Sequence, residues 1–226
     1  MKRYLPLLIL ICLSFTAWFF GLHHYLSFDA LRAHHEKIDA YITLYPVASV
    51  LFYMGAYISI VGLSIPGATF MTLIGGMLFG QILGTCAVVV SATTGATILF
   101  IIAKLASQDI LWQKAGPWIE KMKRGFQEDA FFYLLTVRLI PIFPFVAINL
   151  VAAVLQIPLK TFVITTFIGI IPGSFIFVSI GDALKDVILS PVFTPKIVLE
   201  PKMLLALMGL GILSLLPVLY KRFSKR

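Results

Sequence analysis

The chain has 226 residues, 60% of them hydrophobic and 12% charged, with a mean hydropathy of +0.99. So little polar surface excludes a soluble domain of this length and implies one embedded in a membrane. The net charge of +8 comes without any basic–aromatic RNA motif, so it speaks for membrane orientation and against nucleic acid as a partner.

Residues 4–22 form the first apolar run, preceded by Lys2 and Arg3. A signal peptide would share that charged start, but Thr16-Ala17-Trp18 and Phe20-Gly21-Leu22 lack the small-x-small cleavage pattern. Nineteen residues can cross a bilayer, so a retained anchor is expected. Residues 27–45 place Leu31, Ile38, Ile42 and Tyr45 at helical spacing behind an N-capping Ser27, which predicts a helix lying in the interface. His23-His24 and His34-His35 stand about 16 Å apart on one helix, too far to share an ion, and no metal site is expected.

The next apolar region, 46–80, is interrupted by Pro66 and Gly67, and 82–103 is long enough to cross. Residues 108–126 set Trp112 and Trp118 beside Lys121, Lys123 and Arg124, predicting a second interfacial helix. Region 131–157 is interrupted by Pro141 and Pro144 into pieces that reach about 15 and 18 Å if helical, so neither crosses alone. Two further spans, 161–181 and 203–220, precede the basic tail 221–226. Irregular backbone at membrane depth is tolerated only where protein buries it or where it lines a wet cavity. The interrupted regions are therefore predicted to be re-entrant hairpins. Cys12 and Cys86 both lie in apolar runs and read as packing residues.

With the N-terminus inside, the interior segments hold 13 cations and four acids, a net +9, while the exterior holds five cations and six acids, a net −1. The positive-inside rule expects this asymmetry, and both termini are assigned to the cytoplasm. The two halves also rhyme at an offset of 78 residues, which pairs Pro66 with Pro144, Gly75 with Ala153, Gly95 with Gly173 and Ala103 with Gly181. The topology would make these repeats inverted, as in many transporters. The expected fold is thus an all-α integral membrane protein in one multi-pass domain. It has about four transmembrane helices plus two opposed re-entrant helical hairpins.

Arg138 is the first candidate site residue, because an arginine at a helix centre in the bilayer costs about 2.5–3.5 kcal/mol on insertion scales. It either pins the broken helix, bonding carbonyls left without donors by Pro141 and Pro144, or receives a lipid phosphate on its guanidinium. Asn149 on the other arm either satisfies the turn or lines a polar cavity. Gly75, Gly76, Gly80 and Gly84, with Gly169, Pro172 and Gly173, permit close backbone approach and broken helices, and are the natural hinges. No H-E-x-x-H, G-x-S-x-G or P-loop occurs, and no carboxylate lies between Asp39 and Asp109 or between Asp129 and Asp182. Neither an enzyme nor a buried proton-relay acid is expected, and no cofactor is implied.

Arg138, Pro141, Pro144-Phe145 and Asn149 resemble the R-L-x-P-x-x-P-F-x-x-x-N signature of the VTT-domain superfamily, the SNARE-associated Golgi proteins related to bacterial DedA. "GGMLFG" and "GIIPG" sit where that family carries its first hairpin and the span after the second, and the likeness covers about residues 46–183. It implies opposed re-entrant hairpins and lipid movement: phospholipid scrambling or the return of polyprenyl-phosphate carriers. Membrane lipids with anionic or polyprenyl-phosphate headgroups would then be the partners. The chain lacks the first-hairpin acids and second arginine of the DedA branch, and has Ala153 where glycine is usual, so it resembles the non-DedA branch. A secondary carrier for a small solute and a non-transporting membrane organiser are the rival readings, and the short tails suggest a bacterial plasma membrane.

Overall fold

The computed structural model describes residues 37–114, 130–139 and 143–189. The anchor 4–22, the span 203–220, the tail 221–226, Pro141, residues 27–36 of the first interfacial helix and 115–126 of the second lie outside the described residues.

Six helices make up the described chain, with no strand among these residues: α1 (Lys37–Leu44), α2 (Pro46–Gly62), α3 (Ala68–Lys114), α4 (Ala130–Leu139), α5 (Phe145–Val154) and α6 (Leu159–Leu189). Two helical stretches, Ala68–Ala106 and Leu159–Lys185, are long and apolar enough to cross a membrane, or three if α1 and α2 count as one span bent by 116°. They contain the predicted spans 82–103 and 161–181. Pro46 starts α2, where the missing N–H costs nothing and the fixed φ suits a helix's first turn.

Both interrupted regions break, the first at Pro66 and the second at Pro144. After α2 the Ile65 N–H reaches back to the Ile60 carbonyl and Ser64 N–H to that of Val61, with Ser64 left-handed at φ 59°. These bonds satisfy the helix's last carbonyls, and Pro66 and Gly67 then turn the chain into α3. The same closing bonds end α5, from Ile157 to Ala152 and from Gln156 to Ala153, with Gln156 at φ 58°. Pro144, extended at ψ 131°, caps the start of α5.

Within α3, Gly80 takes φ 74° and ψ −179° and divides it into 68–79 and 81–114. Each half of the protein therefore repeats one pattern of helix, break, short arm, second break and long helix. The short arms start at Ala68 and Phe145, 77 residues apart, and the long helices at 81 and Leu159, 78 apart. That is the periodicity of the sequence repeat.

α3 is the centre, packed by α2, α5 and α6. The short arm 68–79 runs back along α2, where Tyr53 donates its hydroxyl to the Met71 carbonyl at 2.7 Å and Tyr57 Oη lies 2.9 Å from Thr72 Oγ1. Against α6 the approach is backbone to backbone: a Cβ on Gly76 would collide with the Val178 carbonyl, and one on Gly181 with that of Leu73. Phe100 and Phe162 stack at 4.2 Å where α3 meets the start of α6. α6 runs through Gly169, Pro172 and Gly173, the residues named as natural hinges, as one continuous helix. A proline inside a helix removes one hydrogen bond, a loss that neighbouring helices in a membrane protein can absorb.

Candidate functional site

Arg138 lies in the last described turn of α4 and is only 8% exposed. Gly169 makes its approach possible, since a Cβ there would sit 2.5 Å from the arginine's own Cβ. Its Nη2 donates to Asn149 Oδ1 at 2.6 Å and to Thr166 Oγ1 at 2.9 Å, both side chains being fully buried. α5 and α6 thus each place one acceptor on the same nitrogen. Phe145 and Phe162 lie 4.7 and 5.2 Å from the guanidinium carbon, and their ring faces offset part of the cost of a buried cation.

The rest of the guanidinium has no such partners. Nε and Nη1 are buried and make no hydrogen bond among the described residues, and Asn149 Nδ2 is likewise unpaired there. A buried donor left without an acceptor costs about 1–3 kcal/mol, and more when charged. Such a group in a folded protein points to something that completes it.

Beside it lies a cavity of about 350 Å³. Arg138, Phe143 and Pro144 line it from the second break, and Ala68, Thr69 and Thr72 from the arm that follows the first. Tyr57 and Ser174 add hydroxyls, and no carboxylate lines it among the described residues. The two breaks, 77 residues apart in the chain, therefore meet at one cavity whose single charged lining residue, among the described ones, is a cation. What the arrangement can do chemically is hold an anion, because it offers charged donors, neutral hydroxyls and nothing that repels one.

The structure brings Arg138 and Asn149 together, with Pro144 and Gly173 on the same cavity wall. Pro66 and Gly67 form the first turn, just ahead of the cavity-lining Ala68. Gly75 packs under Tyr53, Gly76 crosses α6 and Gly80 breaks α3, all away from the cavity lining. Sequence reasoning missed Thr166, Tyr57 and Thr72. Thr165-Thr166, two adjacent hydroxyls within the apolar span 161–181, was the visible signal for the first. A fourth is Lys104, assigned only to a face: its ammonium donates to the Ile157 carbonyl at 2.6 Å, closing the turn after α5.

The VTT domain matches residues 65–183, just over half of the chain. An uncharacterized membrane protein of Arabidopsis thaliana is 34% identical over 85% of this chain and 66% of its own length. Transmembrane protein 41 homolog of Caenorhabditis elegans is 31% identical over 75% and 68%, and human Transmembrane protein 41B is 26% identical over 88% and 67%. The chain thus spans about two thirds of the length of these relatives. No solved structure matches it. The relatives are eukaryotic, so they support residence in a membrane without pointing to a bacterial one. With the domain matched over both breaks and the cavity between them, the chain belongs to the VTT domain family of membrane proteins, on its Transmembrane protein 41 side.

Proposed function

We propose that the protein moves lipids between leaflets, with the two breaks as tips of opposed re-entrant hairpins and Arg138 receiving the lipid phosphate between them. Phospholipid scrambling and the return of polyprenyl-phosphate carriers both fit this reading, since both present a phosphate. It assigns no covalent chemistry and no cofactor to the protein. The observation that carries it is the half-satisfied guanidinium: Nη2 is fixed by Asn149 and Thr166, while among the described residues Nε and Nη1 have no partner and the adjoining cavity has no acid in its lining. A structural pin would have every donor bonded, so pinning accounts for only one nitrogen.

Contacts at the ends of the helices support the opposed arrangement. Asp39 pairs with Lys185 at 3.7 Å, and charge assigns both to the exterior. Lys104 bonds the turn at Ile157, and charge assigns both to the interior. A cytoplasmic placement of both termini follows from the same assignment.

The test is reconstitution in liposomes, with movement of a fluorescent phospholipid between leaflets measured for wild type and Arg138→Ala. Movement by the wild type that falls to the rate of empty liposomes in a folded variant supports the proposal. A variant that aggregates favours the structural pin. A folded wild type that moves neither phospholipid nor polyprenyl phosphate, but takes up a soluble solute, would replace the reading with a solute carrier.

A further inference from the structure

A second cavity, of about 750 Å³, lies away from Arg138, between α1 and the first hairpin. Its walls are Ile38 and Ile42 of α1, Phe52 and Ala56 of α2, and Ile74 and Leu78 of the short arm. Three of its described lining residues carry hydroxyls: Ser49 Oγ donates to the Tyr45 carbonyl at 2.9 Å, Tyr53 Oη donates to that of Met71 at 2.7 Å, and Tyr41 stands on the exposed side. Phe52 and Tyr41, 82% and 59% exposed, show that the cavity opens outward. Its charged lining residue is Lys37, exposed and without an ion pair among the described residues, because the nearby Asp39 is turned to Lys185.

Those features restrict what can fill it. Water held in a cavity needs two to four polar partners, and apart from the exposed Lys37 and Tyr41 the described walls offer none that is free. An empty space of this size forfeits the dispersion contacts of every side chain around it. Hydrocarbon is the filling that suits the walls, and this chain is surrounded by hydrocarbon. The chain's own apolar segment 4–22 is the obvious rival, but it contains no acidic residue and offers Lys37 nothing. A lipid offers both parts: an acyl chain for the apolar walls and a phosphate for the ammonium.

We infer that this cavity is a lipid-binding site separate from the Arg138 cavity, holding an acyl chain between α1 and the first hairpin with an anionic headgroup on Lys37. It needs no transport through the Arg138 cavity, so it stands or falls independently of that reading. α1 covers the acyl chain, bent by 116° from α2 and held to α6 by the Asp39–Lys185 pair.

The test uses the full chain in nanodiscs containing phosphatidylglycerol or phosphatidylcholine with a photoactivatable diazirine in the acyl chain, and labelled residues are mapped by mass spectrometry. Ile42, Phe52 and Ile74 should label more strongly than Ile82, which is 70% exposed outside the cavity and reports ordinary lipid contact. Ala56→Trp, which fills the space, should cut cavity labelling about tenfold and leave Ile82 unchanged. Lys37→Gln, a surface change that leaves the packing intact, should reduce labelling by phosphatidylglycerol down to the level of phosphatidylcholine. Arg138→Ala should alter none of this. Cavity labelling no stronger than at Ile82, or unaffected by both variants, overturns the inference. So does an Ile42→Cys variant that cross-links to residues 4–22 or to a second copy in place of lipid.

Discussion

At the scale of single residues the question is whether Arg138 serves the fold or the ligand, and Asn149 separates the two. Asparagine and aspartate have the same shape, so Asn149→Asp keeps the acceptor 2.6 Å from Nη2 and adds a carboxylate beside the cation. A structural pin would gain from that pairing and lose nothing. An anion site would have its charge cancelled by a built-in competitor. The expected outcome is an unfolding temperature at or above wild type in detergent, with lipid movement slowed roughly tenfold, about 1.4 kcal/mol of barrier. Unchanged movement would return Arg138 to a purely structural role. Arg138 and Asn149 were legible in the sequence because charge and amide are costly in an apolar run, which makes them stand out. Thr166 was hidden because a threonine in a membrane helix ordinarily bonds its own backbone, as Thr165 does with the Thr161 carbonyl at 2.7 Å.

At the scale of elements, prolines and glycines were readable as interruptions but not sorted by what each interruption does. Gly80 breaks a helix, whereas Gly169 and Gly173 sit in a continuous one. The difference lies in neighbours that a single sequence does not display: Gly169 admits Arg138, and Gly76 and Gly181 let α3 and α6 cross with backbones touching. Gly76→Ala or Gly181→Ala forces a methyl into a carbonyl that belongs to a packed helix and cannot swing away. Each is expected to cost about 2–3 kcal/mol, seen as a lower unfolding temperature. Gly55 on α2 is the control, since a Cβ there meets nothing within 4 Å. Gly55→Ala should stabilise by about 0.5–1 kcal/mol through helix propensity alone. If all three variants behave alike, the close crossing is not what holds α3 against α6.

For the whole molecule, the 78-residue echo carried more of the architecture than any local signal, because it compares two halves of the chain. What it left open was where the halves meet. The meeting point depends on side chains such as Thr69 and Phe143 that carry no mark of their function. The opposed arrangement makes a strict demand on topology. Asp39 and Lys185 must share one face, and Lys160, exposed at the start of α6, must lie on the other. In a background with Cys12 and Cys86 replaced, single cysteines at positions 39 and 160 should differ toward an impermeant maleimide. Asp39→Cys should label in intact cells, and Lys160→Cys only after permeabilisation. Ile157, closed against Lys104 at 2.6 Å, belongs to the same face as Lys160, so the second hairpin would enter and leave from the cytoplasm. If both positions label from one side, α3 or α6 does not cross as an odd span between them. The hairpins would then face the same way, and a lipid path joining two leaflets through their meeting point would lose its geometric basis.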